Sequence, residues 1–140
     1  MRCIVGYRYE DLIVWQKAKA FASEIYRATE PFPKSEVYGL TSQLRRAAVS
    51  VASNIAEGQG RLTKGEFCHF LGQARGSLLE VETQLSISLD LHFLTEDEFH
   101  DLQHRSFEVG RLLNGLIESM RMRVPIAGNT KLETGNWKLK

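Results

Sequence analysis

With 140 residues, a net charge of +1 and 43% hydrophobic against 25% charged residues, the chain has the balance of one soluble globular domain with a single core. The small net charge excludes bulk attraction to nucleic acid or an anionic membrane, and no apolar run approaches the roughly 20 residues of a spanning helix. The charge is slightly uneven. Residues 1–70 hold 10 Lys and Arg against 7 Asp and Glu, and residues 71–140 hold 8 against 10, a polarity that repetition in an assembly would turn into a patch. No signal-peptide pattern is present. Cys3 and Cys68 stand far apart in no ligand spacing, so both are expected to be reduced thiols of a cytoplasmic protein.

No segment of real length alternates with period two, and every long segment repeats with helical period. The first predicted helix runs from Asp11 to Thr29, with Leu12, Trp15, Ala18, Ala22 and Ile25 on one face; Pro31 and Pro33 end it. The second starts after Ser35 as N-cap, carries the stripe Val37, Leu40, Leu44, Ala48, Val51 and Ile55, and stops at Gly58 and Gly60, where glycine can turn left-handed. The third opens on a capping box, Thr63 to Glu66, with Leu62 and Phe67 as a hydrophobic staple. Its stripe runs through Phe70, Leu71, Ala74, Leu78, Val81 and Leu85 to about Leu91. The fourth repeats the device with Thr95 and Glu98, stapled by Leu94 and Phe99. Its stripe is Phe99, Leu102, Ser106, Val109, Leu113, Leu116 and Met120. Residues 1–123 thus read as one all-α domain, an antiparallel up-down-up-down four-helix bundle with near-parallel packing. Residues 124–140 read as an irregular tail in which Trp137 and Leu139 are the docking candidates.

From Ala47 to Ala56 the second helix carries no charge. Its core stripe is Ala48, Val51 and Ile55, yet the opposite side is Val49, Ala52, Ser53 and Ala56. A helix small or apolar all round is buried all round. A single bundle cannot cover that back face, so a neighbouring subunit is expected to cover it; the competing reading folds the tail over it in a monomer.

Little in the chain points to chemistry. Glu66–His69 and Asp97–His100 have the spacing of bundle metal ligands, but both lie in the first turns of antiparallel helices, at opposite ends. His100 and His104 could share a metal but fall off the core stripe, among Asp97 and Asp101. Ser50, Ser53, Ser77 and Ser86 have no neighbouring base, and Gly58–Gly60 has neither the strand nor the Lys-Ser/Thr of a phosphate loop. No catalytic residue, metal ligand or cofactor site is expected. A polar set remains: Arg45, Arg46, Arg61, Lys64 and Arg75 with Asn54, Glu57 and Glu80. Pairing of the arginines with Glu57 and Glu80 would fix register within or between subunits; unpaired, the cations would form a phosphate-binding surface. Base stacking beside these cations is not expected, so any binding should be weakly selective for sequence.

The stretch QLRRAAVSVASNIAEGQGR (residues 43–61), followed by Lys64-Gly65-Glu66-Phe67 and Gly76-Ser77-Leu78-Leu79-Glu80-Val81-Glu82, closely resembles the family of bacterial four-helix bundle proteins. These are also called ribosomal-RNA intervening-sequence proteins, some being encoded in insertions within large-subunit ribosomal RNA genes. Asp11 to Ala18 is similar to the family's first helix, and the likeness covers about residues 8–122. Where many members carry proline this chain has Ala52, so no kink is carried over. The resemblance implies a left-handed antiparallel bundle assembling as a ring-shaped homopentamer. A related bundle, the accessory factor of diversity-generating retroelements, is a pentamer that binds a reverse transcriptase and nucleic acid. The reading that results is a non-enzymatic oligomeric binding module for RNA, DNA or a nucleic-acid enzyme, through Arg45, Arg46, Arg61, Lys64 and Arg75. The alternative is a protein-binding scaffold with no nucleic-acid role.

Overall fold

Four stretches of helical periodicity become four long helices in the computed structural model, which describes residues 8–121. They are α1 (Ile13–Thr29), α2 (Leu40–Gln59), α3 (Lys64–Asp90) and α4 (Glu96–Arg121), with short 3-10 turns at Tyr9–Asp11 and Lys34–Glu36. No strand occurs among the described residues. Helix α1 packs on α2 and α4, and α3 packs on the same two, which makes a four-sided bundle. Between α2 and α3 the Gln84 Nε2 donates to Gln43 Oε1 at 3.1 Å, and the Ser50 and Ser77 hydroxyls meet at 2.9 Å. Residue numbers therefore rise along α2 as they fall along α3.

The core is filled from all four helices: Phe21 and Ile25, Leu44, Val51 and Ile55, Phe67, Leu71 and Leu85, Val109 and Leu113 are fully buried or nearly so. Each such side chain contributes about 1.5–3 kcal/mol over leaving it in water. The buried face of α1 is Val14, Ala18, Phe21, Ala22 and Ile25, rotated from the expected one. Trp15 is only half-buried, because it leans on Tyr9 of the preceding turn at a 5.0 Å ring separation. On α4 the last turns bury Ile117 and, as expected, Met120, while Leu116 is half-buried at the edge.

The helix ends depart from expectation in instructive ways. Ser35 does not cap α2; it lies inside a 3-10 turn, and α2 starts five residues later. The N-cap position is Gly39, and the carboxylate of Glu36, three residues before it, accepts from the Leu40 amide through Oε1 at 3.0 Å. A Cβ at Gly39 would sit 2.6 Å from that oxygen, so glycine leaves room for the carboxylate. Val37, expected in the core stripe, is consequently exposed. Gly58 does not stop α2 but lies within it, and Gly60 has φ −81°, a right-handed value. The capping box of α4 closes in both directions, Thr95 N to Glu98 at 2.9 Å and Glu98 N to Thr95 Oγ1 at 3.1 Å, over a buried Leu94 and Phe99. At α3 the Glu66 amide reaches Thr63 Oγ1 at 3.1 Å, but Leu62 is 98% exposed and no staple forms. The link from α2 to α3 is only four residues, too tight to turn Leu62 inward.

Helix α3 ends in a Schellman motif. Phe93 N bonds Ser88 O at 2.9 Å and His92 N bonds Leu89 O at 3.0 Å, with His92 at φ 63°. A side chain in that conformation is strained. His92→Gly should therefore raise the unfolding free energy by about 0.5–1 kcal/mol. Gly58→Ala should lower it by about 1–3 kcal/mol, because the new Cβ would stand 2.7 Å from Phe70 Cβ and 3.0 Å from Phe67. Urea denaturation of the two variants at one protein concentration checks both signs.

Candidate functional site

Helix α2 has two flanks of opposite character. Toward α3 they are polar: Asn54 Nδ2 donates to Ser50 O and to Ser50 Oγ, each at 2.9 Å, and Ser50 meets Ser77. Asn54 is thus spent in the α2–α3 seam. Glu57 instead takes Arg61 at 3.1 Å, and Glu80 accepts a long 3.5 Å contact from Gln84. These three do not form one cluster. Glu57 lies at the level of Phe70, and Glu80 stands ten residues further along α3, about 15 Å at ~1.5 Å per residue.

Toward α1, α2 is small and apolar. Val49 and Ser53 are exposed and Ala52 and Ala56 half-buried. With Trp15, Ser23 and Tyr26 of α1 they line an open groove of about 720 Å³. The groove exists because short side chains on α2 face tall aromatic ones on α1. A second depression of about 430 Å³ continues it past Tyr26 and Val49 to Thr41, Arg45 and Arg46. At its other end, beside Tyr9, the Arg8 guanidinium donates to Glu10 at 3.0 and 3.2 Å and holds that carboxyl below its usual range.

The five cations expected to act together are divided by the fold. Arg45 is drawn into the α1–α2 seam, where it donates to Thr29 Oγ1 at 2.9 Å and Tyr26 O at 3.2 Å, pairs with Glu30 and covers the Tyr26 ring at 4.6 Å. Arg61 pairs with Glu57 and covers Phe70 at 4.7 Å. Arg75 reaches across the α3–α4 seam to Asn114 Oδ1 at 3.2 Å. Arg46 and Lys64 are exposed and make no hydrogen bond or ion pair among the described residues. Cations and aromatics do meet, contrary to the reading from sequence: Lys19 also lies over Trp15 at 5.4 Å. That pair is four apart on one helix and legible as such; Tyr26 and Arg45 come together only through the fold.

His69 is hydrogen-bonded to Gln73 at 3.1 Å, and His100 and His104 are exposed. Among the described residues no three His, Cys, Asp or Glu side chains gather around a common point. No described helix is long and apolar enough to cross a membrane.

The model of the 23S rRNA-intervening sequence protein family matches residues 10–115, all four helices but for the last turns of α4. The chain belongs to that family. Its fold is shared with a solved structure from Bacteroides thetaiotaomicron, described as a protein of unknown function from the S23 ribosomal protein family. The two are 22% identical and superpose with a TM-score of 0.68, over 75% of this chain and 98% of the other. No curated protein matches the chain.

The division of the cations is testable. Arg45→Ala should cost about 1–2 kcal/mol of stability, since it removes three hydrogen bonds, one of them to the exposed Glu30 carboxylate, and a cation–ring contact. Arg46→Ala should change stability by no more than about 0.5 kcal/mol. Thermal and urea unfolding of both variants measure the difference.

Proposed function

We propose that this family member is a non-enzymatic, cytoplasmic assembly module: an antiparallel up-down-up-down bundle whose copies associate through the outer face of α2. The family resemblance supports a homopentameric ring as that assembly. The observation that carries the reading is the α1–α2 groove, an apolar surface centred on Val49, Ala52, Ser53 and Ala56 that the described residues leave open; the tail expected to compete for it, with Trp137 and Leu139, lies outside them. The family's link to 23S rRNA genes supports a nucleic-acid or ribonucleoprotein partner.

In this reading Arg46 and Lys64 are the cations that face phosphate, and repetition around the ring makes their modest charge multivalent. Arg45 and Arg61 act chiefly as supports, since their guanidinium groups are engaged with carboxylates and rings. Arg75 contributes from the α3–α4 side. Binding is to the backbone and weakly selective for sequence.

Light scattering on the purified chain should report a multiple of 15.9 kDa, and Val49→Glu should lower it. Mobility-shift titration against structured RNA should show affinity falling steeply with salt. Arg46→Ala with Lys64→Ala should weaken binding and reduce the salt slope by about 1 for each phosphate no longer neutralised. No complex at low salt would remove the nucleic-acid role and leave the protein-binding scaffold in its place.

A further inference from the structure

Two glycines sit inside α3 where the chain gives no reason for them. A Cβ added at Gly72 or Gly76 would meet nothing within 4 Å, and the same holds for Gly65 in the first turn. Glycine is the least favoured residue after proline inside a helix. Elsewhere the chain explains itself: Gly58 makes way for Phe70, and Gly110 lies 3.4 Å from Leu78. Gly115 of α4 is also open, but it stands between Arg111 and Glu118 on a charged face.

The α3 glycines belong to a longer row. Gly65, Gly72, Gly76, Leu79, Thr83 and Ile87 recur at steps of three, four and seven, so they share one helix face. The row itself is uncharged, carries only acidic neighbours, Glu80 at its edge and Asp90 one turn past its end, points away from the core, and leaves Leu79 56% and Ile87 42% exposed. It is why α3 is the least amphipathic of the four helices. The row spans about 33 Å at ~1.5 Å per residue, enough to lie along the whole groove beside α2.

Charge decides what covers it. Helices α1 and α2 together carry five Lys and Arg against two Glu, net +3, and α3 and α4 carry five cations against ten Asp and Glu, net −5. Apposing two grooves would bring positive helix pairs together. Apposing a groove to an α3 face brings opposite signs together. A contact between two different surfaces repeats from copy to copy, which is what a ring requires.

We propose that the outer face of α3 in one copy docks in the α1–α2 groove of the next, with Gly72 and Gly76 giving the clearance that lets the helices approach. This rests on the assembly reading and adds the second surface and the head-to-tail sense of the contact.

The test uses two variants of the full chain. Val49→Glu spoils the groove and leaves the α3 face intact. Gly72→Leu with Gly76→Leu fills the α3 face and leaves the groove intact. Both substitutions of glycine enter open space, so circular dichroism should show the helices retained and the thermal midpoint of the single copy undiminished. Light scattering should find each variant at one copy where the unaltered chain assembles, and an equimolar mixture should form a two-copy species with one of each. A leucine variant that assembles like the unaltered chain, or a mixture of two folded variants that stays at one copy, overturns the head-to-tail contact while leaving assembly through α2 standing. An unaltered chain at one copy overturns both.

Discussion

Phe70 stands where a side chain at position 58 would be, and that one exclusion shows how closely α2 and α3 lie together. The close seam is built from small residues and polar rungs. Ser50 meets Ser77, Gln43 meets Gln84, and Asn54 folds back on its own helix to serve the same line. Such rungs tolerate little sliding, since a one-residue slip would strand several donors at once. They are not optimal for stability: Gln84 Oε1 is buried and accepts no hydrogen bond among the described residues. The seam sets register, and the apolar core behind it supplies the driving force. With α2 committed to α3 on one flank, α1 must close the other flank with bulky Trp15 and Tyr26 against alanine and serine, and the groove follows.

Four helices and their links are legible from periodicity because apolar stripes at three- and four-residue steps have no other low-energy use. The outer residues of α2 are legible because a charge-free run is visible in one dimension. The α1 wall of the groove is not, since the stripe read from Leu12 and Trp15 is turned from the buried one that holds Val14 and Phe21. Tyr9 accounts for this: it gives Trp15 a partner outside the core. The start of α2 is hard to place for a related reason. Ser35 has the chemistry of a cap, but the prolines before it favour a tight turn, and the longer Glu36 side chain reaches the free amide instead. The row on α3 is hidden in one dimension because Lys64, Glu66, Arg75 and Glu82 break it up in sequence and fall away from it only in the helix.

The basic residues carry a similar lesson. Counting them in sequence treats them as equivalent, yet three of the five have work inside the bundle. Arg45 closes the top of the α1–α2 seam with a side chain that is 26% exposed, and Arg61 ties the end of α2 to the start of α3. Positive charge held this way still contributes to the field of the surface but is not free to reach for a phosphate. Residues such as Arg46 and Lys64 keep that freedom because nothing charged lies within reach on their own helices.

The corner between α3 and α4 has a kinetic meaning. The chain leaves α3 through two backbone bonds that fix the turn and enters α4 through a capping box satisfied on both sides, with the Phe93 ring meeting Phe32 at a tilt beneath. Only five residues separate the two longest helices. Closing so short a loop, with its turn and cap already satisfied locally, forfeits little chain entropy, so this hairpin can form early as the chain collapses and serve as a template for the remaining helices.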